Sequence, residues 1–160
     1  MTKAAPSPIA TALGRIPSGL YVVTTGLEKR PVGFLGSFVQ QVGFEPPTVC
    51  VAIAKDRPHL EECLGSGRFA LSILDETSQS LKRAFLKRQA EGDSAFDGLN
   101  VGHARSGTPV LLDALAWIDC RITGRHDAGD HSILFGEVVE AHVQRAGEPY
   151  VHLRKNGLSY

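Results

Sequence analysis

Two cationic side chains, Lys55 and Arg57, directly follow a long apolar run in this chain, and a small polar loop precedes that run. Ammonium and guanidinium groups close to free backbone N–H donors form a binding site for an anion such as a phosphate group. The apolar run, residues 48–54, predicts a strand buried on both faces, with the two cations held at its end. The same residues also fit an ordinary hairpin that ends in solvated charges. The residue types alone leave both interpretations open.

Paired prolines, Pro46 and Pro47, separate the polar loop from the apolar run. Proline fixes φ and has no N–H donor, so neither residue can lie in the middle of a hydrogen-bonded ladder. The order of loop, proline break, buried strand and charged end makes residues 33–57 the first candidate for a ligand site.

Six histidines are spread along the chain, and none has the spacing of a metal-binding His pair. His126 and His131, with Asp127 and Asp130 between them, include the ligand types that a metal ion requires. They lie in the segment RHDAGDHS, however, where Asp-Ala-Gly-Asp is common turn chemistry, so a hairpin is expected and a metal site is not. His131 remains a candidate for ligand contact, because a neutral imidazole both donates and accepts hydrogen bonds.

Length and charge restrict the class of protein. The chain has 160 residues, of which 42% are hydrophobic, and this is sufficient for one domain with its own core. Its 17 basic and 17 acidic residues give a formal net charge of zero, which argues against a nucleic-acid or membrane surface. No apolar run approaches the roughly 18 residues needed to span a bilayer, and the first residues lack the apolar core of a signal peptide. Small-molecule or protein partners and a cytoplasmic location are therefore expected.

The three cysteines, Cys50, Cys63 and Cys120, are odd in number and far apart, and each falls within an apolar pattern. They are predicted to be buried reduced thiols rather than redox or metal-binding groups. Residues 65–70 match the G-x-G-x-x-[GA] pattern of dinucleotide-binding folds. They follow a predicted helix and open a predicted strand, the reverse of what that fingerprint requires, so a simple turn is expected.

Turn residues divide the chain into short apolar segments, most of which alternate as strands do. Helices are predicted to begin at Pro8 and Pro58, and a third to occupy residues 78–89. Residues 91–107 are rich in Gly, Ser, Asp and Asn and predict a long surface loop. Many strands with few helices between them favour a mainly β fold, an antiparallel β-barrel with peripheral helices, over a parallel α/β sheet. The six predicted strands are residues 20–25, 30–34, 48–54, 69–74, 117–123 and 132–143.

Six segments of the chain occur together in a fixed order: GLYVVTT, SFVQQVGFEPP, VAIAKDR, TPVLLDALAWIDC, GDHSI and RKNGLSY. Taken together and in this order, they resemble the flavin reductase-like family, whose members fold as FMN-binding split β-barrels. The resemblance covers nearly the whole chain. It is closest to the flavin reductase-like domain at the C-terminus of cyanobacterial flavodiiron proteins. Because the chain carries no diiron or flavodoxin domain, a stand-alone single domain of residues 1–160 is implied.

The resemblance also implies which residues form the site. The family's Gly-Asp-His turn would place His131 near the flavin ring, where the electron donor stacks, as the catalytic residue. Aromatic residues near the flavin or the dimer contact would be Phe85 and Phe96. The family's loop before the prolines, which presents backbone N–H groups to the flavin, would be Ser37, Phe38, Val39, Gln40 and Gln41. The residues that hold the phosphate end would be Ala54, Lys55, Asp56 and Arg57.

Two further positions bear on this comparison. Many family members have Thr two positions before the residue that matches Ser37, whereas this chain has Leu35. The lost hydroxyl removes one possible hydrogen bond, which implies that flavin binding depends more on backbone donors. Arg154 and Tyr160 in the closing segment are shared with the most similar family members, and docking of the C-terminal tail is the role that the resemblance implies for them.

The implied function is that of an NAD(P)H:FMN reductase, which transfers hydride from nicotinamide to flavin. FAD in place of FMN, and either NADH or NADPH as donor, fit the resemblance equally. One alternative is an FMN-binding electron-transfer protein that takes electrons from a protein partner and uses no NAD(P)H. Another is a non-catalytic flavin- or haem-binding module. A homodimer is expected, because a cofactor at the edge of a split barrel usually needs a second subunit to cover it, and a protein electron acceptor is a further possible partner.

Overall fold

The computed structural model describes residues 5–27, 30–87 and 93–159. Each helix begins at or next to the residue that the sequence indicates. Ser7 caps the first helix by accepting a hydrogen bond from the Ala10 N–H at 3.2 Å, and Pro58 opens the second helix. The helices are α1 (Pro8–Gly14), α2 (Pro58–Ser66) and α3 (Gln79–Leu86). The strands are β1 (Tyr21–Leu27), β2 (Arg30–Gly36), β3 (Val39–Phe44), β4 (Pro47–Ala54), β5 (Arg68–Ile73), β6 (Val101–His103), β7 (Pro109–Leu111), β8 (Ala116–Ala128) and β9 (His131–Val143).

Seven of these strands form one antiparallel sheet in the order β2-β1-β5-β8-β9-β4-β3, and β6 pairs with β7 in a small second sheet. The predicted mainly β fold with peripheral helices is confirmed. The long hairpin of β8 and β9 pairs Ala128 with His131 across a two-residue turn, and Gly129 takes the left-handed φ of +61° in that turn. The hairpin predicted at the Asp-Ala-Gly-Asp sequence is therefore confirmed. Because β9 also pairs with β4, the turn lies beside the end of β4, with Ala54 opposite His131.

Three strands were not predicted. Residues 39–41 were assigned to a loop, but they begin β3, whose residues pair with β4 from Val39 opposite Val51 onward. The prediction of a long surface loop at residues 91–107 is wrong for residues 93–107, which the structure describes, because β6 lies within them and Phe96 is buried. The third missed strand is β7. Strands β6 and β7 have three residues each, too few for a periodic pattern, and β3 is mostly exposed at the edge of the sheet, where its pairing with β4 stabilises it.

Strand β4 is buried on one face only, contrary to the prediction for both faces. Val49, Val51 and Ile53 lie in the core, whereas Cys50, Ala52 and Ala54 are half-exposed. Alternation of this kind is expected where a sheet has a core on one side. The sequence did not predict this alternation of buried and half-exposed residues, because the outward residues Cys50, Ala52 and Ala54 are also apolar.

The cysteine prediction holds for two of the three residues. Cys63 and Cys120 are fully buried free thiols, and burial raises the pKa of each to about 12. Cys50 is half-exposed on the outer face of β4, so the prediction of burial is wrong there. Gly67, with φ of +69°, ends α2 and donates its N–H to the Cys63 carbonyl, which confirms a helix-to-strand turn at this point.

None of the helices in the described ranges is long and apolar enough to cross a bilayer.

Candidate functional site

Three adjoining cavities open at the end of β4, with volumes of about 540, 560 and 60 Å³. Arg57 borders all three, because it lies where the chain leaves β4 and turns into α2. No carboxylate in the described ranges forms an ion pair with the Arg57 guanidinium. A cation without a counter-charge at the junction of three cavities is suited to bind an anion.

The first cavity, of about 540 Å³, brings together predicted residues from three separate parts of the chain. The end of β4 and the start of β9 meet there because the two strands are hydrogen-bonded neighbours, and the Lys55 N–H donates to the Asp130 carbonyl at 2.9 Å. The predicted residues that border it are Phe38, Ala54, Lys55, Asp56, Arg57 and His131.

The second cavity, of about 560 Å³, is bordered by aromatic and aliphatic side chains from two elements. Phe34 and Leu35 of β2 border it together with Ser37, which is only 6% exposed, and with Phe85 of α3. At Leu35, where many family members have Thr, the chain therefore presents an apolar side chain to the cavity in place of a hydroxyl.

The remaining predicted residues lie outside these three cavities. Phe96 is 9% exposed and packs edge-to-face on Phe85, with ring centroids 5.2 Å apart. Val39 and Gln40 of β3 border two shallower depressions on the outer side of the barrel, and Gln41 is exposed in the same strand. A contact of these four residues with flavin stays a prediction.

His131 is held by a hydrogen bond and by a ring contact. Its Nδ1 lies 2.7 Å from Asp130 Oδ1, and its ring is tilted at 60° to that of Phe38, with centroids 5.5 Å apart. The hydrogen bond from His131 lowers the pKa of the Asp130 carboxyl, which is therefore ionised at neutral pH and can only accept. Nδ1 is consequently the donor in this hydrogen bond. The His131 side chain is 16% exposed, enough to contact a ligand in the first cavity.

Arg154 also belongs to the site, although the sequence did not assign it there. It borders both large cavities, and its Cζ lies 4.6 Å from the centre of the Phe38 ring. The segment that carries it crosses α1, where the Arg154 N–H donates to the Gly14 carbonyl at 3.3 Å and the Gly157 N–H to the Ala10 carbonyl at 2.8 Å. The tail therefore docks on the body and forms a wall of the site. Tyr160 lies outside the described residues.

Two further histidines, His59 and His152, border the smallest and the second cavity respectively. Burial lowers the pKa of both rings, and nearby cations lower it further: Arg57 acts on His59, and Lys82 and Arg154 act on His152. Both rings are therefore neutral at pH 7. The spacing of these two histidines in the sequence did not indicate them. His59 lies in α2 and His152 in the C-terminal segment, and only the fold brings them to adjoining cavities.

The residues around the two large cavities fit a ligand with a flat apolar body and an anionic end. Aromatic and aliphatic side chains form the walls, while two guanidinium groups, those of Arg57 and Arg154, lie where the large cavities meet. A phosphorylated aromatic ring system has both features.

Comparison with known proteins agrees with this geometry. The family model of the Flavin reductase like domain matches residues 13–157. The chain is 39% identical over 161 residues to Diflavin flavoprotein A 1 of Synechocystis sp. (strain ATCC 27184 / PCC 6803 / Kazusa), an alignment that covers 99% of this chain and 28% of that protein. The chain thus spans little more than a quarter of that relative's length.

Solved structures show the same fold. The NADH:FAD oxidoreductase SgcE6 of Streptomyces globisporus C-1027 superposes with a TM-score of 0.84 and 26% identity, covering 97% of this chain and 96% of that one. A second structure of that enzyme is in complex with NAD and FAD fragments. A homologue of nitrilotriacetate monooxygenase component B from Mycobacterium thermoresistibile gives a TM-score of 0.83 and 30% identity, over 91% of this chain and 80% of that one.

The fold is thus the split β-barrel of flavin reductases, with its candidate site at the end of β4. The chain belongs to the flavin reductase-like family.

Proposed function

We propose that this chain is an NAD(P)H:FMN reductase that binds flavin in the groove formed by the three cavities. The observation that carries the proposal is Arg57, a cation without an ion-pair partner in the described ranges, at the junction of cavities with apolar walls. The phosphate of FMN supplies the matching anion. When bound, flavin would accept hydride from the nicotinamide and pass the electrons on.

The protein's own contribution is to bind, orient and exclude water. The guanidinium groups of Arg57 and Arg154 would hold the anionic end of the ligand. Phe34, Leu35 and Phe85 would cover its apolar body. No nucleophile or strong base is required, which agrees with a site made of aromatic rings, cations and neutral histidines.

The two phenylalanines of the edge-to-face pair should have separable effects. Phe85 borders the second cavity, so Phe85→Ala should weaken FMN binding several-fold. Phe96 lies behind it, and Phe96→Ala should lower the free energy of unfolding by about 3 kcal/mol, as expected for a buried aromatic ring. Urea unfolding and FMN titration of each variant separate the two effects. Equal loss of FMN affinity in both stable variants would contradict this division.

His131 is proposed to orient the electron donor. His131→Ala should lower kcat/KM for the nicotinamide about tenfold or more and leave the Kd for FMN within about twofold, because the substitution leaves the proposed phosphate ligands, Arg57 and Arg154, in place. Asp130→Asn is the matched variant, since it keeps the ring and weakens only its hydrogen bond. The assignment is wrong if His131→Ala loses flavin on purification but turns over normally when FMN is supplied in excess.

The choice of flavin and of nicotinamide belongs to the same proposal. SgcE6 is named an NADH:FAD oxidoreductase, which supports a nicotinamide donor for this chain and keeps FAD as an alternative flavin. The test is an anaerobic titration of the FMN-reconstituted protein with NADH and then NADPH, following the absorption band of oxidised flavin. Rapid bleaching by either donor supports the reductase, and the faster donor is the preferred one.

A second candidate is an FMN-binding electron-transfer protein that uses no NAD(P)H. Identity is higher to part of a diflavin flavoprotein, 39%, than to the free-standing reductase SgcE6, 26%. Flavin that binds but stays oxidised with both nucleotides would favour this candidate over the reductase. Failure to bind any flavin would contradict both candidates and leave the haem-binding form of the non-catalytic module.

We further propose that the chain acts as a single cytoplasmic domain and forms a homodimer. The outer face of β4, with half-exposed Cys50 and Ala52, offers an apolar surface that a second copy would cover. Sedimentation of the flavin-loaded protein at working concentration tests the dimer, and a monomer would contradict it.

A further inference from the structure

Lys55, one of the two cations at the end of β4, is already paired. Its Nζ lies 3.3 Å from Asp127 Oδ2, near the end of β8 in the β8–β9 hairpin. The Lys55 backbone is fixed as well, because its N–H donates to the Asp130 carbonyl in the turn of that hairpin. The side chains of Lys55 and Asp127 are 38% and 53% exposed, so the pair lies at the rim of the first cavity and not in the core.

Asp127 is itself held in place from two other directions. Ser132 of β9 donates a short hydrogen bond to Asp127 Oδ1, and the Arg125 guanidinium lies 3.2 Å from the same oxygen. The hydrogen bond from Ser132, with those from Lys55 and Arg125, lowers the pKa of the Asp127 carboxyl to about 2. The carboxylate is therefore permanently charged at neutral pH.

This arrangement makes the two cations at the end of β4 unequal. Arg57 has no ion-pair partner in the described ranges, whereas a phosphate that approached Lys55 would compete with Asp127 for the same ammonium group.

We propose that Asp127 is a specificity-determining residue that reduces the preference of the site for phosphorylated flavin by holding Lys55. This inference rests on the proposed flavin site. Its consequence is a site in which Arg57 is the main phosphate ligand and Lys55 contributes little while the pair is intact. The preference for FMN over riboflavin, which lacks the phosphate, is then smaller than two available cations would give.

The test compares FMN with riboflavin in wild type and in Asp127→Asn. Asparagine keeps the shape and still accepts from Ser132, but it releases the Lys55 ammonium group. The Kd for FMN should fall about three- to tenfold at low salt, the range for a screened charge contact, while the Kd for riboflavin stays within about twofold. The gain should shrink as ionic strength rises.

A double-mutant cycle isolates Lys55 as the cause. In a Lys55→Gln background, Asp127→Asn should no longer tighten FMN, because there is no ammonium group to release. Ser132→Ala, which removes a hydrogen bond to Asp127 but no charge, should leave the ratio of the two Kd values unchanged. Asp127→Ser provides a second uncharged variant if Asp127→Asn does not fold.

Three outcomes would overturn the proposal. Equal changes for FMN and riboflavin would show that Asp127 acts through the shape of the hairpin. A gain that persists without Lys55 would show a general field effect. An unchanged FMN affinity in folded Asp127→Asn would show that Lys55 does not reach the phosphate. Absence of binding of both flavins to the wild type would instead contradict the proposed function itself.

Discussion

Arg57→Gln should raise the Kd for FMN about ten- to hundredfold, the largest effect expected of any single charge at the site. The guanidinium borders all three cavities and has no ion-pair partner in the described ranges, so its binding capacity is available to a ligand. Hydrogen bonds between charged groups contribute roughly 1.5–3 kcal/mol, which corresponds to this range. Fluorescence titration of FMN into the purified variant measures the effect.

Riboflavin and a second arginine provide the controls for this prediction. Riboflavin binding should change little in Arg57→Gln, because the guanidinium is assigned to the phosphate. Arg105→Gln removes the same charge at a side chain that is 93% exposed and lies on the β6–β7 side of the barrel, so it should leave both flavins unaffected. Equal loss of riboflavin and FMN in Arg57→Gln would show that Arg57 supports the shape of the groove and does not bind phosphate.

Gly157→Ala should lower FMN affinity about tenfold by displacing the C-terminal tail. A Cβ at this position would overlap the Cβ of Leu13 and would lie 2.7 Å from the Gly14 backbone nitrogen. Neither atom can move without shifting α1, so the tail must move instead. Because the tail carries Arg154 to both large cavities, its displacement would remove a wall and a cation together.

Gly65→Ala is the matched control for the tail variant. A Cβ at Gly65 would meet nothing within 4 Å, and alanine favours the helix in which Gly65 lies by up to about 1 kcal/mol. This variant should therefore bind FMN normally and be as stable as wild type or more so. FMN affinity within twofold of wild type in Gly157→Ala would show that the docked tail is not needed for binding.

Local sequence determined the elements and turns that frame the site. The helix cap at Ser7, the glycine stop of α2 and the Asp-Ala-Gly-Asp hairpin could be predicted because each depends on the conformational preferences of adjacent residues. The apolar run of β4 and the two cations after it could also be predicted from the sequence. The residue types at Lys55 and Arg57 indicated an anion site, whereas flavin as the ligand and the catalytic role of His131 came from family resemblance.

Tertiary structure decided how these parts act together. Whether Lys55 is available depends on Asp127, which reaches it only through the pairing of β8, β9 and β4. Residues 39–41 are a strand because β4 provides their hydrogen bonds, and Arg154 enters the site because α1 holds the tail across the groove. In each case the deciding contact joins residues far apart in the chain. Periodicity and turn preference report only on near neighbours, so the sequence by itself determined most of the barrel's elements, while pairing between strands determined the rest and packing determined the charge and walls of the groove.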